Sequence, residues 1–78
     1  MMFRTLVKTD HVAVDGQLYQ VRYYEQHTTR GMRRFSAEVR LGTHDRIIFD
    51  DDSVPHLEVR AAKVIPATVY SRMLSTTA

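Results

Sequence analysis

The sequence predicts an α+β domain: a four-stranded antiparallel meander, a C-terminal helix over about residues 54–64 packed on one face, and a short second helix over about 66–74. Three observations carry that expectation. Asp15-Gly16 stands between two stretches rich in Val and Tyr, the signature of a two-residue hairpin. Residues 34–41 alternate apolar and polar without a break, as a half-buried strand does. Asp50-Asp51-Asp52-Ser53 then precedes a run whose apolar residues recur at spacings of three and four, the period of a helix.

The first strand is read over Phe3 to Val14, where Thr, Val and Leu are frequent and no helical period appears. With Asp15-Gly16 as the loop, Val14 faces Gln17, Val12 faces Tyr19 and Asp10 faces Val21. Opposed residues share a face, so Val12, Val14, Tyr19, Val21 and Tyr23 line one side. The second strand runs to about Gln26, and His27-Thr28-Thr29-Arg30-Gly31-Met32 is a polar loop. In the third strand Phe35, Ala37, Val39 and Leu41 join the apolar side, leaving Arg34, Ser36, Glu38 and Arg40 on the other. Gly42-Thr43-His44-Asp45 is a turn, and Arg46-Ile47-Ile48-Phe49 a short fourth strand.

Ser53 is placed to cap the helix, its hydroxyl accepting a first-turn N–H, with Pro55 in the turn that tolerates proline. The three aspartates complement the positive end of the helix dipole. Val54, Leu57, Ala61, Val64 and Thr68 form the apolar stripe, with His56, Arg60 and Lys63 on the other side. Pro66 lacks an N–H and disfavours helical geometry at Ile65, so the helix is expected to stop near Val64–Ile65. A second piece, Pro66 to Leu74, would then carry Val69, Tyr70, Met73 and Leu74 inward; a kink in one helix is the alternative. Ser75 to Ala78 is expected to fray.

A chain of 78 residues makes a single domain, 1–78, that buries only roughly 60% of its unfolded surface. It has no cysteine, which excludes disulfides, a thiol nucleophile and any Cys-based zinc site. Small folds without such staples often gain stability by associating. The N-terminal residues hold no apolar run long enough for a signal peptide or membrane span, which predicts a cytoplasmic protein with no membrane partner. Net charge is only +2, and the basic side is nine arginines against two lysines. Arginine is the better bidentate ligand of phosphate and carboxylate.

Chemistry is sparse. Histidines 11, 27, 44 and 56 have no metal-ligand spacing, the aspartate run lacks that of a calcium loop, and neither predicts a metal or other cofactor. Serines 36, 53, 71 and 75 stand in no nucleophile elbow, and glycines 16, 31 and 42 are too far apart to cradle a phosphate. An enzyme and a small-molecule substrate are therefore not expected. The sheet face opposite the helix is the candidate surface. Alternation places Arg22, Tyr24, Arg34, Arg40 and Arg46 there with Gln20, Ser36 and Glu38, and Arg30 and Arg33 add charge from the adjoining loop. Tyr and Arg dominate interface hot spots, so the leading expectation is a non-catalytic interaction module that binds a protein partner or itself as a homodimer. The alternative is a nucleic-acid-binding module, with arginines on phosphates and Tyr24 stacking on a base.

Overall fold

The computed structural model describes residues 3–76 and has the expected two layers. Strands β1 (Arg4–Val14), β2 (Gln17–His27), β3 (Arg33–Gly42) and β4 (Asp45–Asp51) pair antiparallel in the order β1-β2-β3-β4, and a single helix, α1 (Val54–Thr76), crosses one face. The hairpin register is the one the Asp-Gly loop dictates: Val14 faces Gln17, Val12 faces Tyr19, Asp10 faces Val21. Asp15 and Gly16 both have positive φ, 50° and 81°, which is the type I′ turn whose twist matches the flanking strands.

The core lies between sheet and helix. Val14, Val21, Tyr23, Ala37 and Val39 from the strands are buried against Leu57, Ala61, Ile65 and Val69, with Val12, Tyr19, Phe35, Leu41, Ile47, Phe49 and Val54 packed around them. Ala37 and Ala61 are both essentially inaccessible, and their small side chains let the helix lie close to the sheet. Ser53 caps the helix as expected, accepting the His56 N–H at 3.3 Å.

Four polar ties hold the helix at the corners of the sheet. Near its start, Glu58 meets Lys8 of β1 at 3.1 Å, while Arg60 reaches the Asp50 carbonyl (2.7 Å) and the Asp51 carboxylate (3.2 Å) of β4. Near its end, the Tyr70 hydroxyl donates to Asp15 in the β1–β2 turn at 3.2 Å, and Arg72 grips Asp45 at the start of β4 at 2.8 and 3.3 Å. Each exposed pair contributes little by itself. Together they fix the helix along the sheet and leave the opposite face of the sheet as the uncovered one.

Three expectations need correction. The helix does not divide at Pro66: α1 is continuous through it. The missing hydrogen bond would have gone to the carbonyl of Ala62, an exposed residue where water can serve instead. Ile65 and Val69, on either side of the proline, are 0% and 8% exposed. Burying two such side chains is worth about 1.5–3 kcal/mol each, enough to outweigh the cost of about 3 kcal/mol for an interior proline. The inward stripe accordingly runs Leu57, Ala61, Ile65, Val69, with Val64 and Thr68 only half-buried, and Thr68 donates its hydroxyl to the Val64 carbonyl at 2.7 Å. Ser75 and Thr76 fall within the helix, Lys63 near its middle, and residues 77–78 of the expected frayed tail lie outside the described residues.

The second correction concerns the aspartates. Asp50 and Asp51 belong to β4, and no acidic residue occupies the first helical turn. They serve as partners for Arg34 and Arg60 more than as a complement to the dipole. The third concerns β1. A bulge between Leu6 and Lys8 shifts the register, so that Leu6 faces Tyr24 while Lys8 faces Tyr23. Everything N-terminal to the bulge changes sides.

Candidate nucleic-acid interface

Cross-strand register builds the open face in rows. Nearest the β1–β2 turn Ala13 faces Leu18, and one row further in His11 faces Gln20, with Arg40 facing Arg46 beside the β3–β4 turn. The next row is Thr9, Arg22, Glu38 and Ile48; then Leu6, Tyr24, Ser36 and Asp50; then Arg4, Gln26 and Arg34. Arg22, Tyr24, Arg34, Arg40 and Arg46 therefore do share one face. Arg33 does not. It opens β3 on the helix-facing side, donating to Glu25 at 2.8 Å with its guanidinium 5.4 Å from the Phe35 ring. Arg30 is exposed in the β2–β3 loop, where Thr28 accepts the N–H groups of Gly31 and Met32.

The arginines of this face are not equivalent. Arg34 is neutralised by Asp50 at 2.9 Å and by Asp52, and its hydrogen bond to Asp50 raises its already high pKa. Arg46 and Arg4 share the half-buried carboxylate of Glu38, each at 3.5 Å. Arg22 and Arg40 have neither an ion pair nor a hydrogen bond among the described residues. Arg40 moreover stands directly across from Arg46, and like charges in that position destabilise a sheet. Two shallow depressions meet at Arg40. One, of about 270 Å³, is lined by Arg40, Gly42, Thr43, His44, Asp45 and Arg46; the other, of about 50 Å³, by Gln20, Arg22, Glu38 and Arg40. Sharing Arg40, they lie end to end as a trough from the β3–β4 turn toward the middle of the sheet, in which Arg22, Arg40 and Arg46 meet Glu38 and Asp45.

Beside the trough the surface changes character. Tyr24 is half-buried, and the Arg4 guanidinium lies 4.3 Å above its ring. Leu6 and Ile48 are exposed on the same face. Between them Ser36, 3% exposed, holds the one buried side-chain polar atom without a hydrogen-bond partner among the described residues. Sequence reasoning misses Arg4 and the burial of Ser36. Simple alternation from the hairpin puts Arg4 on the helix side, and only the bulge brings it over Tyr24.

No group of three or more His, Asp or Glu among the described residues is placed to hold a metal ion, and no helix is long and apolar enough to cross a membrane. Comparison with protein-family models, with curated proteins and with solved structures finds no match.

Proposed function

We propose that the chain is a small non-catalytic binding module whose open sheet face takes the phosphates of a nucleic acid. The observation that carries this reading is the pair of free guanidinium groups at Arg22 and Arg40. Within the ordered elements the other arginines hold carboxylates, Arg33, Arg34, Arg60 and Arg72 at 2.8–3.2 Å and Arg4 and Arg46 at 3.5 Å, and among the described residues only Arg30, in the exposed β2–β3 loop, is likewise without one. Leaving two free beside Arg46 costs stability that an arriving anion restores. Phosphates are the anions whose spacing along a strand can meet several guanidiniums in succession. The near-neutral net charge is compatible with this, because the open face carries a local positive excess, Arg4, Arg22, Arg34, Arg40 and Arg46 against Glu38 and Asp50.

The test is a fluorescence anisotropy titration against mixed-sequence DNA and RNA at low and at physiological salt. Binding is expected to weaken steeply with salt. Replacing Arg22 and Arg40 together by alanine should weaken it and, on a single strand, flatten the log–log salt slope by roughly 1.4, about 0.7 for each phosphate left without its guanidinium. Absence of binding at low salt ends the reading.

Self-association is the second reading, and one observation favours it. The outward side of α1 exposes Val59 (60%) and Tyr70 (48%), more apolar surface than a solvent-facing helix needs. The β1 edge is a poorer route, because the bulge interrupts it and Asp10 accepts the neighbouring His11 N–H at 2.8 Å. Sedimentation equilibrium over a wide concentration range tests this reading: a dimer that Val59→Glu dissociates supports it, and a monomer throughout removes it.

A further inference from the structure

We infer that the open face takes a single strand, not a duplex, with phosphates along Arg22, Arg40 and Arg46 and a base stacked on the Arg4–Tyr24 pair. This rests on the nucleic-acid reading above and narrows its ligand.

The first ground is width. The domain measures 45 × 22 × 16 Å. The arginines of the trough come from β2, β3 and β4, in a sheet whose four strands span about 14 Å between outer strand axes. The major groove of B-form DNA is about 12 Å wide and admits a helix or a two-stranded ribbon. A four-stranded face carrying side chains cannot enter it, so on a duplex the arginines would meet only phosphates along the groove rim and Tyr24 would reach no base. A-form duplex is less accessible still, because its deep groove is narrow. A single strand has no such limit, since it can lie across the sheet.

The second ground is the division of the face. The phosphate-binding groups lie in the rows containing Arg22, Arg40 and Arg46, and the row beside them holds Tyr24, Leu6 and Ser36. A single strand has the same division, with charge on one side and planar bases on the other. The Arg4 guanidinium over the Tyr24 ring extends the platform outward, and bases stack on guanidinium planes as well as on aromatic rings.

The third is Ser36. A buried hydroxyl without a partner is costly and calls for an explanation. Here it stands between Tyr24 and Asp50, in the platform row. A side-chain adjustment in this row that keeps Arg4 over Tyr24 would bring the hydroxyl to the hydrogen-bonding edge of the stacked base. A duplex, with its base edges paired and inside, offers no such partner.

The experiment uses one fluorescein-labelled 20-nucleotide DNA of mixed sequence, alone and annealed to its complement, titrated with the full chain at low salt. The single strand is expected to bind at least tenfold tighter than the duplex. Tyr24→Leu should weaken single-strand binding about tenfold, the scale of removing one base–aromatic stack, and leave duplex binding unchanged. Ser36→Ala, which cannot disrupt the fold by removing a bond the hydroxyl does not make, should narrow the single-strand preference in the same direction. Circular dichroism melts confirm that both variants fold; if Tyr24→Leu does not, Ser36→Ala and the strand-to-duplex ratio decide. Equal or tighter duplex binding overturns this inference while leaving the phosphate reading standing. A preference that survives both substitutions also overturns it. Binding of neither ligand at low salt removes the phosphate reading itself.

Discussion

Pro66→Ala probes the helix where sequence and structure differ most. In an interior helical position proline is about 3 kcal/mol less favourable than alanine, because it lacks the N–H and its ring crowds the preceding turn. Alanine would restore a donor to the Ala62 carbonyl. Two effects oppose the gain. Proline restricts the unfolded chain, and its removal costs roughly 0.4–1 kcal/mol. Pro66 is also half-buried, so removing its ring carbons forfeits about 0.8 kcal/mol of apolar burial. The balance is a stabilisation of about 1–2 kcal/mol. For a domain of this size that raises Tm by about 5–10 °C. Thermal melts followed by circular dichroism at 222 nm measure the shift, and hydrogen exchange should find the new amide at residue 66 protected. A lower Tm would refute the reasoning. Proline would then be stabilising its site through its fixed φ, as it does at the first turn of a new helix, and residues 54–74 would behave as two helical pieces.

The remaining expectations are simpler. Val39→Asp places a carboxylate at a position with 0% exposure beneath the helix, and the cooperative melting transition should disappear; a folded variant would mean that the sheet faces are inverted. Gly16→Ala meets no atom within 4 Å, so its cost is purely the positive φ, roughly 1–2 kcal/mol, whereas Gly42→Ala, with its nearest neighbour the Asp45 Cβ at 3.8 Å and an ordinary φ, should be nearly neutral. Comparing the two Tm values isolates backbone strain from packing. Asp51 is held below its ordinary value of 3.8, first by the Asp52 N–H and then by Arg60 and His56, and Asp45 is held below it by Arg72. A lowered folded-state value means that the unfolded chain binds more protons, so this stability is complete above pH 3.8 and is lost as pH falls through the folded values. Tm should fall on acidification below about pH 4, and Asp51→Asn should make that fall shallower; identical acid limbs would show that the Asp51 contacts contribute nothing.

Much of the fold is legible because its signals are local. Asp15-Gly16 dictates a turn that only a narrow set of residues can make, and the turn dictates which side chains of β1 and β2 face each other. Phe35, Ala37, Val39 and Leu41 then declare their side by strict alternation. Pro66 misleads for the opposite reason. Its local preference is strong and points to a break, while the forces that overrule it, the burial of Ile65 and Val69 under strands distant in sequence, are not local. Propensity is a weak prior wherever two large apolar side chains flank the exception and both find a core.

The open face is legible in membership and illegible in charge state. Alternation assigns Arg22, Arg34, Arg40 and Arg46 to one side, but which of them is free depends on where the carboxylates fall across three strand registers. Glu38 faces Arg22 directly in the β2–β3 register and would be its natural partner. It is engaged instead by Arg4 and Arg46. Arg4 reaches it only because the bulge at Val7 turns the first residues of β1 to the open side, and nothing in the residues around Val7 announces a bulge. One irregularity in the edge strand thus adds a competitor for the natural partner of an arginine on the next strand. The same irregularity puts a guanidinium over Tyr24. A free Arg22 and a covered aromatic ring beside it thus both depend in part on a single extra residue in β1, whereas the free Arg40 does not.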